Sequence, residues 1–525
     1  MEELDLHHVF ELGLVLVMLA AGITAVAKKM NQPYPIALVI VGTLIGLANV
    51  PILEPVKSFI TEGEVFNFVI ITLFLPALLG EASLKLPFPH LKDNRKPIIS
   101  LAFLGTLLSF LIIGFAGIWL LDLPVPAAFV FAALMSATDP VSVLSIFKSV
   151  GVPKRLATII EGESLFNDGL AVVLFKISSL YLLTYLDLGV AGFGLGLLEF
   201  VRVIALGLLV GAIFGYAFSQ LTKLYDDYPL EIIFSIILFY GAFLAAETFE
   251  ASGVIAVVVA ALIFGNYGAR IGMSPTTKLN INSFWDVAAL LANSLVFLMV
   301  GLEITQIDLM DKWGLIAIAI MIVLVARAVS VYASISFLKN VPLAWGHILN
   351  WGGLKGSLSI ALALSLPRSF EGRETVLVLA FSVVLFSLVV QGLSIKPLLR
   401  LLGTEQKDDA HLAYEALVAR SHRYESAVSE IRKARSDLFL TEASTRDLLS
   451  SYEDEVTSLR SETERLFERY PELKERQQTL LRRLALYAEH EAIERLVREE
   501  IISREVAERE IELIMDELVR LEDTH

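Results

Sequence analysis

Residues 161–169 read Glu-Gly-Glu-Ser-Leu-Phe-Asn-Asp-Gly and lie inside an apolar stretch. A charged side chain at the centre of a bilayer costs roughly 2.5–3.5 kcal/mol on insertion scales, so such residues face the protein interior and carry ions or protons. Glu163 and Asn167 are four residues apart, as are Ser164 and Asp168. On a helix each pair stacks on one face, which puts a hydroxyl in line with a carboxylate. Upstream, Thr138-Asp139-Pro140 supplies a second hydroxyl and a second carboxylate. Proline disrupts the helix there and leaves backbone carbonyls free. Oxygen-only ligands from Asp168, Ser164, Thr138 and Asp139 suit a hard cation such as sodium or lithium, not zinc or copper. Ligand chemistry of this kind does not separate sodium from potassium. A carboxylate removed from water is a poor bare anion, so it holds either a proton or a cation. If one site holds both, they compete, and alternating exposure to the two sides turns competition into exchange. With a single titrating carboxylate, one sodium swaps for one proton and no net charge moves. Asn167, beside it, is neutral and is expected to pin the site by hydrogen bonding.

These residues need a membrane domain to position them. The chain has 525 residues, 55% hydrophobic and only 19% charged, with a mean hydropathy of +0.68. Soluble chains are about one-quarter charged. A spanning helix needs about 20 apolar residues. Thirteen candidate spans begin near residues 9, 34, 65, 98, 126, 157, 193, 229, 252, 284, 314, 343 and 375, the second and ninth being short. Positive charge accumulates in cytoplasmic loops. One alternating set of loops holds fifteen basic residues: Lys28, Lys29, Lys85, Lys92, Arg95, Lys96, Lys148, Lys154, Arg155, Lys223, Arg270, Lys278, Lys339, Lys396 and Arg400. The other set holds Lys57, Lys312, Arg368 and Arg373. The N-terminus is then outside and the C-terminus cytoplasmic, in the plasma (inner) membrane. Glu2, Glu3 and Asp5 precede the first apolar run; that run lacks the basic flank of a signal peptide and is read as a retained span. Cysteine is absent, which excludes thiolate chemistry and Cys-ligated metals. No cofactor and no nucleic-acid partner is expected, only the transported ions and the lipid bilayer.

Two spans are interrupted. The fifth contains Thr138-Asp139-Pro140, and the twelfth contains Gly352-Gly353-Leu354-Lys355-Gly356. Glycine at this density weakens a helix, although small residues also permit close packing. Interrupted helices at matching positions of two halves point to a transporter's binding site. Five and twelve differ by seven, as expected for two six-helix inverted repeats and one linker helix. Asp139 is expected at the positive N-terminal end of a half-helix, and Lys355 at a negative C-terminal end. Among the other basic residues in spans, Arg202 and Lys176 read as interfacial anchors, Lys176 alternatively facing an aqueous cavity. Arg327 lies deeper and needs an ion-pair partner. Glu163, one turn from Asn167, is expected to pair with Lys355, while Glu161 lies nearer the cytoplasmic end.

The charge changes abruptly at residue 404. The last 122 residues contain 19 Lys/Arg and 30 Asp/Glu. Leu438, Leu440, Leu448, Leu449, Val456, Leu459 and Leu466 form an apolar stripe at helical spacing. A second runs from Leu480 and Leu484 through Ile493, Leu496, Ile501, Ile502, Val506 and Ile511 to Ile514 and Leu518, and Pro471 ahead of it breaks or starts a helix. This predicts a helical cytoplasmic domain over 404–525, a packed appendage, a dimerising coil or a regulatory domain that takes an unidentified ligand or protein. The domain over 1–403 is the transport domain.

Three further segments strengthen the pattern: Phe297-Leu298-Met299-Val300-Gly301-Leu302-Glu303, Ala326-Arg327-Ala328 and Trp351 to Gly356. With Ala137-Thr138-Asp139-Pro140-Val141 and Glu161 to Gly169, they make residues 10–400 resemble the monovalent cation:proton antiporter-1 family, which includes the NhaP-type sodium/proton antiporters. The resemblance implies an all-α polytopic membrane protein with two crossed broken helices, an elevator-like movement and a homodimer. It also implies cation ligands at the Asp168 carboxylate, the Ser164 hydroxyl and the Thr138 backbone carbonyl, with Glu163 and Asp139 in the surrounding polar shell. An Asn-Asp pair, here Asn167-Asp168, resembles the electroneutral exchangers, and pH homeostasis is the implied physiology. Lys355 stands where the family usually has arginine, and Gly80 where relatives carry a bulkier residue before a glutamate, here Glu81. The competing classes are a potassium/proton antiporter of the same fold and a cation channel, although no repeated filter motif is present. Two membrane aspartates also suggest an intramembrane protease, but neither follows the Gly-x-Gly pattern of that class, and no enzymatic activity is expected.

Overall fold

The computed structural model describes residues 6–30, 33–47, 68–225, 227–303, 312–338, 341–404, 409–437, 441–499 and 501–523. Glu2, Glu3, Asp5, Lys57, Lys339, Leu438 and Leu440 lie outside them, as do the side chains of Lys148 and Glu303. All regular structure among the described residues is helical. Eleven helical segments, one of them the interrupted stretch Val125–Phe147, are long and apolar enough to cross a membrane, and Tyr34–Leu47 is a shorter apolar helix. The protein is an all-α, multi-pass membrane protein.

In chain order the membrane helices are α1 (Leu6–Lys29), α2 (Tyr34–Leu47), α3 (Phe68–Lys85), α4 (Arg95–Leu120), α5 (Val125–Ser136) and α6 (Pro140–Val150). They continue with α7 (Lys154–Asp187), α8 (Gly189–Thr222), α9 (Tyr228–Thr248), α10 (Gly253–Ile271) and α11 (Pro275–Glu303). The last are α12 (Trp313–Ser336), α13 (Leu343–Trp351), α14 (Ser357–Leu364) and α15 (Arg373–Leu401).

Both expected interruptions are present. Between α5 and α6, Ala137 and Asp139 have extended backbone angles. Pro140 cannot donate to the preceding turn and instead starts α6, where a missing N–H is harmless. Between α13 and α14, residues 353–356 are not helical. Several backbone polar groups freed by the breaks find partners in protein, as backbone inside a membrane requires. Asp139 N–H donates to Leu354 O at 2.8 Å, which ties one broken segment to the other. Ser359 Oγ donates to Leu134 O at 2.6 Å, and Lys355 N–H donates to Ser387 Oγ at 3.0 Å.

The core sits around α5, whose residues from Ala127 to Ser136 are all buried. An apolar helix buried on every side needs no amphipathic stripe. Arg202, by contrast, is an exposed residue of α8 that reaches Glu250 at 3.1 Å and Glu199 at 3.4 Å, as a side chain at the helix boundary should. Lys176 on α7 is half-buried.

Residues Gln406–His525 form a separate compact unit of four helices: α16 (Asp409–Asp437), α17 (Glu442–Arg469), α18 (Pro471–Arg498) and α19 (Arg504–Asp523). Pro471 opens α18 rather than interrupting a helix. The second apolar stretch is not one helix; residues 499 and 501–503 are not helical. Leu486, Ile514 and Leu518 pack together between α18 and α19, and Leu449 and Leu459 are buried on α17. Leu448, Leu480, Leu484, Ile501 and Val506 from the same stripes are exposed. Cross-helix ion pairs Arg432–Glu453 at 2.7 Å and Arg460–Glu425 at 3.3 Å join α16 to α17.

Candidate functional site

The break between α5 and α6 meets α7 at Thr138. Thr138 Oγ1 lies 2.9 Å from Ser164 Oγ, and Asn167 Nδ2 donates to Thr138 Oγ1 at 2.8 Å. All three residues are buried. Asp168, the next residue on α7, lies within electrostatic reach of the Thr138 backbone, Asp139 and Lys355. The four-residue spacing therefore does what helical geometry demands: Ser164 and Asp168 are presented together to the same break. The Asn167 amide ties α7 to the break through Thr138.

Asp139 caps α6: its Oδ1 accepts from Val141 N–H at 3.0 Å, the usual role of an aspartate at a helix N-terminus. Its other oxygen, Oδ2, is buried with no hydrogen-bond partner, as is Asn167 Oδ1. Buried acceptors without donors are costly. Oxygens in that condition, beside two hydroxyls and a second carboxylate, fit a cation or its water.

Lys355 and Glu163 depart from the expected arrangement. Glu163 is not paired with Lys355. Its Oε1 accepts from Arg327 Nη1 at 2.5 Å, and Arg327 Nη2 donates to Leu349 O at 2.9 Å. Arg327 reaches across from α12 because the chain opposite it is Gly353, where a Cβ would sit 2.5 Å from its Nε. A planar guanidinium satisfies a carboxylate and a carbonyl together, which an ammonium does less well. Lys355 instead donates through Nζ to Ala137 O at 3.1 Å, at the C-terminal end of α5. Its charge faces the negative pole of a half-helix, as the sequence led one to expect. Gly356 lets Asp139 approach equally closely: a Cβ there would meet Asp139 Cβ at 2.4 Å.

A cavity of ≈ 450 Å³ opens onto these groups and is lined by Thr138, Asp139, Ser164 and Asp168. Its wall also includes Glu81, Asp286, Asn293, Tyr34 and Glu161. Sequence reasoning did not assign Glu81 or Asp286 to the site, although both are carboxylates in apolar runs and the same burial-cost argument applied to them. They come together through Lys85, which reaches Glu81 at 2.7 Å and also bonds Asp286. Gly80 is explained at the same wall. A Cβ there would lie 2.1 Å from Phe239 Cδ2, and the Phe239 ring packs on Trp285 with centroids 4.6 Å apart. The Phe239 ring of α9 occupies the space that a side chain at Gly80 would take.

Comparison with known proteins bears on this arrangement. A family model described as "Sodium/hydrogen exchanger, transmembrane" matches residues 14–401. The chain is 69% identical over its whole length, and over the whole length of the relative, to the Na(+)/H(+) antiporter NhaG of Bacillus atrophaeus. It is 57% identical over 397 residues to the Na(+)/H(+) antiporter NhaH of Halobacillus aidingensis, a match covering 76% of this chain and 98% of the relative. The fold matches the structure of the sodium proton antiporter MjNhaP1 from Methanocaldococcus jannaschii at pH 8 with a TM-score of 0.62. That match has 21% identity and covers 76% of this chain and 99% of the other.

Proposed function

The chain belongs to the sodium/hydrogen exchanger family and is a secondary-active sodium/proton antiporter, not an enzyme; we propose that the exchange takes place at Asp168. Sodium is held there by the Asp168 carboxylate, the Ser164 hydroxyl and the Thr138 backbone carbonyl, with Asp139 and Asn167 completing the shell. The observation that carries this reading is the convergence of Thr138, Asp139, Ser164 and Asp168 on one cavity at a helix break, with Asn167 bonded to Thr138 behind it. Protonated Asp168 releases sodium, and deprotonated Asp168 binds it. One carboxylate then couples one sodium to one proton, and the exchange is electroneutral. Glu163 and Arg327 hold α7 to α12 while Lys355 neutralises the end of α5, so the site turns over inside a fixed electrostatic frame.

The coarser architecture supports a fuller reading. The interrupted regions near 126 and 343, together with the short α2, make thirteen membrane passages of two inverted repeats, with the two broken helices crossing. Residues 1–403 form the antiporter domain, with core and dimerisation parts in a homodimer of the plasma membrane, N-terminus outside. Residues 404–525 form a cytoplasmic domain that takes a regulatory ligand or protein.

The test is proton release in everted vesicles on addition of sodium, lithium or potassium, with wild type and Asp168→Asn. The expected result is saturable sodium-dependent exchange that the variant lacks. Normal exchange by the variant would remove Asp168 from the mechanism, and a response to potassium without one to sodium would reassign the cargo. In liposomes, a reversal point that moves with membrane potential would exclude one-for-one exchange.

A further inference from the structure

The transport cavity leaves a second one unexplained. It is open, about 610 Å³, and lined by Lys92, Arg95, Lys96 and Arg155 against a single carboxylate, Asp93. It lies where α4 and α7 begin and α12 ends, on the side that the loop charges make cytoplasmic. Among the described residues no ion pair within it neutralises this excess; the acceptor that Arg155 Nε reaches is the neutral Asn94 Oδ1, at 2.9 Å. Asn94 is buried and itself anchored to His90 O at 2.9 Å. The guanidinium also lies 5.5 Å over the Trp345 ring, so Arg155 is held at the cavity rather than left free in solvent.

The remaining wall is apolar: Pro97, Phe337, Leu338 and Val341. Phe337 is 82% exposed, at the end of a helix that crosses the bilayer. Concentrated positive charge beside exposed apolar surface at a helix end does not suit a free anion, which has no use for the apolar wall. Basic pockets between membrane helices on the cytoplasmic side suit anionic headgroups.

We propose that this cavity binds an anionic phospholipid, its phosphodiester among Lys92, Arg95, Lys96 and Arg155 and its acyl chains leaving past Phe337. A lipid seated there bridges the ends of α4, α7 and α12. α7 carries Glu163 and Asp168, and α12 carries Arg327, so the lipid braces the two helices that the buried ion pair joins. Transport under this proposal is faster and the protein more heat-resistant when anionic lipid is present.

The experiment uses the purified full-length protein in detergent and measures the thermal shift on titration with phosphatidylglycerol or cardiolipin, with phosphatidylcholine as the neutral arm and inorganic phosphate as the free-anion arm. A saturable shift with anionic lipid only is the expected result. Arg95→Gln and Lys96→Gln each weaken the apparent lipid affinity about five-fold, and together roughly 25-fold, from the usual strength of one cation at an anionic surface. Arg270→Gln, a basic residue exposed at another helix end, leaves the affinity unchanged. An equal shift with inorganic phosphate would overturn the lipid assignment. An unaltered titration in the Arg95→Gln/Lys96→Gln double variant, or an equal loss in Arg270→Gln, would overturn the site. None of these variants touches Asp168, so failure here leaves the transport site standing.

Discussion

Glu163 and Asp168 are five residues apart on one helix, and their surroundings could hardly differ more. Glu163 is 1% exposed, held by Arg327 at 2.5 Å, and does not line the cavity at the helix break. Asp168 lines that cavity beside Asp139, with the half-satisfied oxygens of Asp139 and Asn167 near it. A carboxylate locked to a guanidinium in a dry interior has nothing left to exchange. One that opens to water, with a lysine near but bonded elsewhere, is free to take a proton or an ion. Chemistry at the two positions is the same; access and partner separate brace from site.

The contrast breaks most sharply with Asp168→Asn, which keeps the shape and removes the exchangeable charge. Sodium-dependent proton movement should vanish while the melting temperature stays near wild type; residual exchange at a normal rate would erase the distinction. Glu163→Gln or Arg327→Ala should do the reverse. Removing one member of a buried ion pair costs about 3–5 kcal/mol, so both variants should unfold at markedly lower temperature. A variant of either kind that is as stable as wild type yet inactive would move Glu163 into the transport chemistry.

Proton competition gives the next largest effect. Where protons and sodium compete for Asp168, binding of one releases the other. In that range, the apparent KM for sodium should rise up to about ten-fold for each unit of acidification and level off at alkaline pH. A KM indifferent to pH would separate the two sites. The smallest effect is expected from Ser164→Ala, which removes one oxygen ligand and the partner of Thr138. Loss of about 1 kcal/mol predicts a KM raised roughly five-fold with the maximal rate less affected, read from initial rates against sodium concentration.

Much of this site is visible in the chain before any folding is considered. Ser164 and Asp168 share a face because a helix turns every 3.6 residues, and Pro140 breaks its helix through its own ring. Local covalent geometry suffices for both. A cation in the second break has a helix pole to meet, although that the pole is the Ala137 end of α5, distant in sequence, is a tertiary contact. Partner choice for Glu163 is different. Lys355 and Arg327 were both plausible on charge alone, and the answer turned on Gly353, whose missing side chain makes room for the guanidinium. That is a packing relation between α12 and a segment 26 residues further on. Glu81 and Asp286 went unassigned for a related reason: each stands alone in its own helix, and only Lys85 shows that they share a wall. In the C-terminal unit, apolar spacing marked helices but not which residues they bury; Leu486 and Leu518 meet while Leu480 and Leu484 remain exposed.

The sequence by itself determined the membrane character of the chain, its two interrupted helices and the oxygen-rich chemistry of residues 138–139 and 163–168. Those follow from residue type, short spacing and the cost of charge in lipid, all of which act within a few turns of one helix. Only the tertiary structure decided which carboxylate is braced, which faces water, and what replaces the side chain absent at Gly80. Each depends on how closely helices distant in sequence approach, and that distance is set by packing on both sides at once.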